Sequence, residues 1–274
     1  MTDYIKKLSP RNLVLELLQA RGKGRSMPVQ SLISVAELFG YAGSVIRVTV
    51  TRLAAEGYLS NPARGSYCLA AHTDHLFEHL NLWRLGEQRM RAWDRRWIIV
   101  LLPKNPERKL RRKTMTATKL FGLQKAQDNL LVRPHNLSVT LDQFKTQIRN
   151  LGLEEDAAIF LGSDVDVHLE ETWYTKLWDI DTWARRHLES RKKLEESQAR
   201  LEQISLAAAA KESFLLGRAA LHLLVTDPLL PKEIASAEAR QSHTSTMHEY
   251  DRKARELWQV YLQSLETPVL EALT

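Results

Sequence analysis

The sequence predicts an α+β chain of several domains, on three observations. Three short helical segments and a hairpin open the chain, a strand-helix-strand-strand-helix-strand order follows, and the last third reads as helix. At 274 residues with 44% hydrophobic residues, the chain is long enough to bury more than one core. The single cysteine, Cys68, excludes an internal disulfide and any multi-cysteine metal site. No apolar run approaches the roughly 18 residues of a membrane span, and Met1-Thr2-Asp3 lacks the pattern of a signal peptide. No membrane partner is expected, and the expected location is the cytoplasm.

The N-terminal elements follow from local signals. Ser9-Pro10 predicts a helix to about Ala20, with Ser9 as cap and Pro10 at the first position. Arg21-Gly22-Lys23-Gly24-Arg25 reads as a basic loop, and a second helix runs from Pro28 to Gly40 with Leu32, Ile33, Ala36 and Phe39 on its buried stripe. Next, Ile46–Thr51 alternates like a strand and is rich in β-branched residues. At about 100° per residue, however, Ile46, Val50, Leu53 and Ala54 fall on one side, and Gly57 follows as a stop. Helix accounts for the whole stretch, whereas strand leaves Leu53–Gly57 unexplained. Tyr58–Asn61 and Ser66–Leu69 then pair across Pro62-Ala63-Arg64-Gly65. Three helices and a hairpin form the winged variant of the helix-turn-helix plan, expected over 1–70.

The helix reading leaves Ser44, Val48, Thr51 and Ala55 outward, flanked by Arg47 and Arg52. A face of small residues between two arginines suits a major groove about 12 Å wide. Arg47 and Arg52 match guanine edges or phosphates, Ser44 and Thr51 either, and Val48 a thymine methyl. Arg64 at the hairpin tip, with Lys23 and Arg25 of the basic loop, completes the candidate DNA-binding set. Charge agrees: residues 1–70 hold nine Lys/Arg against four Asp/Glu, and 84–119 hold twelve against three, while 120–274 are net negative. Such asymmetry points to a polyanion.

A linker helix is predicted from His72 to about Met90, within a boundary region 71–91. The middle domain, 92–170, begins with Trp93…Trp97 and a strand Ile98–Leu102. A basic helix Glu107–Phe121, strands within Gln124–Arg133, a helix Thr140–Asn150 and a strand Ala157–Leu161 follow, which is the ferredoxin-like order. Residues 171–274 are expected to form a helical domain. Trp173, Trp178 and Trp183 suit a core or an aromatic-ligand pocket, and Glu233–Met247 reads as a polar loop with His243 exposed.

The chain resembles the PaaX family of bacterial phenylacetate-catabolism repressors. The resemblance rests on Ser44-Val45-Ile46-Arg47, Arg52-Leu53, Gly57-Tyr58-Leu59, Arg64-Gly65-Ser66-Tyr67 and Trp93…Trp97. It continues through Phe121-Gly122, Val132-Arg133-Pro134 and Asp227-Pro228-Leu229-Leu230-Pro231. It implies a DNA-binding homodimer on a double-stranded operator, released by an aryl-CoA thioester such as phenylacetyl-CoA or another acyl-CoA. Arg108, Arg111, Arg112, Trp178 and Arg218 are the candidates for holding that effector. Arg218, nine residues before Asp227, approximates an arginine that the family carries ahead of its Asp-Pro motif.

Catalysis is not expected, nor is a cofactor or metal. The sequence has no phosphate-binding Gly-rich loop and no nucleophile elbow. The alternative is a metal-dependent nuclease, or an inactive nucleic-acid-binding protein, built on the ferredoxin-like domain. A nuclease of that kind needs a carboxylate at the end of its first strand, where this chain has Val100-Leu101-Leu102-Pro103-Lys104.

Overall fold

A computed structural model of the chain describes residues 8–22, 24–104 and 108–266; the side chains of residues 72, 74–77, 108, 109 and 266 lie outside the description. The class is α+β, with two small antiparallel sheets among many helices. Contacts group the chain into two compact units. Unit 1 takes residues up to Glu78, Lys193–Ala219 and the chain from Met247; unit 2 takes His79–Lys192 and Ala220–Thr246.

In unit 1, α1 (Pro10–Arg21) starts on Ser9, whose hydroxyl accepts from the Asn12 amide. Strand β1 (Met27–Pro28), α2 (Val29–Glu37), α3 (Gly43–Ala55), β2 (Leu59–Ala63) and β3 (Ser66–Leu69) follow, and the sheet runs β1-β3-β2, antiparallel throughout. The strand-like stretch is therefore helix. Ile46, Val50 and Leu53 are buried, while Val48 is 69% exposed. Each fully buried apolar side chain contributes about 1.5–3 kcal/mol, so the buried stripe outweighs the tenths of a kcal/mol that β-branched residues cost a helix. The hydroxyls of Thr49 and Thr51 donate to the carbonyls of Val45 and Arg47 at 2.7 and 3.0 Å, which lets threonine sit in mid-helix. The core closes with Leu13, Leu17, Leu32 and Val35, and with Ala210 and Tyr261 from late in the chain.

The predicted linker helix is broken. A short 3-10 turn (Ala71–Thr73), α4 (Asp74–Asn81) and a 3-10 stretch (Leu82–Arg89) replace it. Gly86, at φ 51° and ψ −127°, takes a conformation that L-residues avoid and ends regular helix there.

Unit 2 contains β4 (Trp97–Leu101), α5 (Arg108–Leu120), β5 (Gln124–Gln127), β6 (Leu130–Pro134), α6 (Leu141–Asn150) and β7 (Ala158–Gly162). Its sheet is ordered β5-β6-β4-β7 with every neighbouring pair antiparallel. Alternation along β4 sends Ile98 and Val100 to the face covered by Ala117, Phe121, Phe144 and Ile148, and Trp97 to the opposite face. There Trp97 meets Trp173 at 4.9 Å and lies parallel to Trp178 at 6.2 Å. Three indole N–H groups of this cluster have an acceptor: Trp97 donates to Glu170, Trp93 to the Arg96 carbonyl and Trp178 to the Gly122 carbonyl.

The chain continues as α7 (Val167–Lys176), α8 (Ile180–Gln198), α9 (Leu206–Thr226) and α10 (Glu238–Glu266). The stretch read as a polar loop before Met247 is, from Glu238, the first turns of α10, and His243 is buried completely. Arg240, His243 and Thr244 of this stretch face inward. Among the described residues, no helix is long and apolar enough to cross a membrane.

Candidate nucleic-acid interface

The outer face of α3 is the most distinctive surface of unit 1. Ser44, Arg47, Val48, Thr51, Arg52 and Ala55 are all exposed. Val48 carries a large apolar side chain into water at the centre of that face, a placement with a use if a thymine methyl covers it. The helix begins on Ala42, whose side chain offers no cap, whereas Ser9 caps α1 and Thr140 caps α6. Its first N–H groups thus remain free of a side-chain cap and suit a phosphate.

The two flanking arginines differ. Arg47 has only a long contact, 3.5 Å, to Gln30 of α2. Arg52 donates to Glu56 at 2.9 Å, and Arg11 reaches the same carboxylate at 2.6 Å. Donation from Arg52 first, and Arg11 second, holds the Glu56 carboxyl below its ordinary range. Arg52 is thus held in an ion-pair cluster, and Arg47 is the freer of the two. Arg25 and Arg64 are exposed, Arg64 beside Gly65 (φ 75°) in the hairpin turn. Lys23 lies outside the described residues.

The effector candidates are distributed differently. Arg111 and Arg112 are exposed on α5, while the side chain of Arg108 lies outside the described residues. Trp178 is 2% exposed inside the aromatic core of unit 2. Arg218 belongs to unit 1, where its Nε donates to both oxygens of Glu16 at 2.8 and 2.6 Å. Trp178 is thus a core residue and Arg218 half of an internal ion pair, and neither side chain opens to solvent. The half-buried tryptophan of the trio is Trp183, which lines a mostly apolar pocket with Ile180, Ala184, His187, Asp227 and Arg240.

That pocket borders a polar network that sequence spacing does not show. Asp227 accepts from His187 Nε2 at 2.7 Å, from the Leu229 amide at 2.7 Å and from Arg240 at 3.3 Å, and Arg240 also grips Glu87 through two nitrogens. Burial pushes the Asp227 carboxyl up, but donation from His187 and the charge of Arg240 outweigh it and hold the carboxyl below its ordinary range. His187 Nδ1 lies 2.9 Å from His243 Nδ1. Burial, then the neighbouring His187, pushes His243 down to about 3. Leu229 sits at φ 51°, with its carbonyl accepting from Asn136 at 2.8 Å; Asn136 in turn accepts from the buried Arg133. The Asp-Pro-Leu-Leu-Pro run is therefore a buried turn that ties the chain after α9 to the sheet of unit 2.

Residues 9–73 match the profile of the PaaX-like protein family. The likeness to that family lies in this segment. It contains α1 to α3 and the hairpin, so the exposed face of α3 lies inside it. Among solved structures, the chain is similar to the uncharacterized protein Rv0674 from Mycobacterium tuberculosis, at 18% identity and a TM-score of 0.60, covering 94% of this chain and 100% of that one. That likeness speaks to the fold over nearly the whole chain. No curated protein matches.

Proposed function

We propose that the protein is a non-catalytic, sequence-specific DNA-binding transcriptional regulator of the PaaX type. In this reading the PaaX-like domain is a winged helix-turn-helix, α3 is its recognition helix and the β2–β3 hairpin its wing, over about 1–70. The four-stranded unit with α5 and α6 (about 92–170) is ferredoxin-like, and the rest is a helical domain for regulation. The observation that carries the reading is the outer face of α3, where exposed Arg47, bare Val48 and Thr51 stand on a helix whose opposite stripe, Ile46, Val50 and Leu53, is buried.

The function follows from the chemistry. Arg47 reads a guanine edge bidentately, Val48 contacts a thymine methyl, and Ser44, Arg25, Lys23 and Arg64 hold phosphates. A homodimer presents two such helices to the half-sites of an imperfect palindrome. An acyl-CoA thioester, with phenylacetyl-CoA as the first candidate, favours a dimer geometry whose helix spacing no longer fits, and repression of an aromatic-acid operon is lifted.

Selection of bound sequences from a random duplex library tests the reading. It expects one enriched palindromic motif, with half-sites one helical turn or a multiple of it apart. Recovery of unenriched sequence at every salt concentration would overturn it.

A further inference from the structure

We infer that α5 is a second DNA-backbone contact, independent of the recognition helix. The inference rests on the reading of α3 as the DNA-binding helix. Arginines on the surface of this chain commonly have a carboxylate close by: Arg11 and Arg52 share Glu56, Arg96 has Asp94, Arg200 has Glu212 and Arg255 has Asp251. On α5 the pattern changes. The helix, Arg-Lys-Leu-Arg-Arg-Lys-Thr-Met-Thr-Ala-Thr-Lys-Leu, has no acidic residue. Lys104, Arg111, Arg112, Lys113 and Lys119 are exposed and have no ion-pair partner among the described residues.

The fold fixes which way these charges point. Thr114, Ala117, Thr118 and Phe121 are buried against the sheet, so Arg112, Thr116 and Lys119 at i, i+4 and i+7 form the outward ridge. Mutual repulsion among cations this close is a standing cost that a solvated helix face has no need to bear. A polyanion removes it.

Three features select DNA phosphates over other polyanions. The ridge is exposed and built on one helix, whereas sites for small anionic ligands are concave. From Arg112 to Lys119 the helix rises about 10 Å, the axial span of about three phosphates of one strand. A membrane surface would need a broad apolar face beside the cations, and here that face is buried, leaving Met115 and Leu110 partly exposed without an aromatic neighbour.

The test is the salt dependence of binding between 50 and 200 mM for the selected duplex and a scrambled one. The Arg111→Gln/Arg112→Gln/Lys119→Gln variant is compared with wild type, and equal melting temperatures verify folding. Each phosphate contact contributes about 0.9 to the slope of log K against log salt, so the slope falls by about 2–3. It falls equally on both duplexes, with their affinity ratio unchanged. An unchanged slope overturns the inference while leaving the reading of α3 intact. So does a variant that keeps the slope but loses the thermal shift with phenylacetyl-CoA, which would assign the cations to that ligand. Absence of duplex binding by the wild type would overturn both. Should the triple variant melt early, Lys119→Glu alone carries the test, with a slope loss of about 1.

Discussion

Replacing Gly122 by alanine tests the buried turn at Asp227. Gly122 has φ 66°, and a Cβ there would lie 2.6 Å from Pro228 Cα and 2.8 Å from its carbonyl oxygen. Both atoms are backbone, in a turn fixed by Asp227 and Asn136, so neither yields cheaply. The left-handed conformation costs alanine about 1–2 kcal/mol, and the forced contact adds about 1–3. A loss near 3 kcal/mol follows, roughly 10 °C in Tm for a unit of this size. Tryptophan fluorescence reads this unit, since Trp83, Trp93, Trp97, Trp173, Trp178 and Trp183 all lie in it. Asparagine at 122 separates the causes, because it accepts the left-handed conformation but carries the same Cβ. The account predicts that Gly122→Asn is nearly as damaging as Gly122→Ala. A Gly122→Ala protein melting within about 2 °C of wild type would refute the close approach.

Acid should weaken unit 2 through His243. Its value in the fold is pushed down to about 3, so below an unfolded value near 6.5 the unfolded chain binds a proton that the folded unit refuses. This contribution is intact above about pH 6.5 and is lost as pH falls toward 3, amounting to about 2 kcal/mol between pH 7 and pH 5. Urea midpoints that match at those two pH values would contradict it, and His243→Gln should flatten the acid limb. Arg218→Met leaves Glu16 facing a nearly buried site without its partner. It should cost unit 1 about 2 kcal/mol, discounted for the partial exposure of Glu16, and Glu16→Gln combined with it should recover part of the loss. Chemical denaturation of the two variants measures this, and a neutral Arg218→Met would show the pair to be idle.

Much of the segment 9–73 was legible because its signals are local. Ser9-Pro10 marks the start of α1, Gly57 follows α3, and the period of Ile46, Val50 and Leu53 overrides the strand-like alternation between them. The strand and helix order of the middle region was legible for the same reason, from turn residues and short apolar runs. Gly86 gives no local signal of a break, because a single glycine is tolerated in a helix and only its tertiary setting forces one. The network at Asp227 was out of reach. His187 and His243 stand 56 residues apart, and Arg240 meets Glu87 across 153, so no spacing rule relates them. Polarity alone made 233–247 look like a loop, when several of its polar groups face inward. The burial of Trp178 and the pairing of Arg218 with Glu16 also depend on distant residues, so the sequence leaves core or pocket open for the one and ligand or carboxylate for the other.

The most direct test of the central claim is operator affinity of Arg47→Ala, measured by competition between the selected duplex and a scrambled one. Arg47 is exposed and held by a single long contact to Gln30, so its removal leaves the fold intact and takes away one proposed base reader. The account predicts a loss of about 1–3 kcal/mol on the selected duplex, with little change on the scrambled one. Arg52→Ala, which also releases Glu56, should cost less. Selected-duplex affinity that is unchanged in a folded Arg47→Ala protein would contradict the assignment of α3 as the helix that reads DNA.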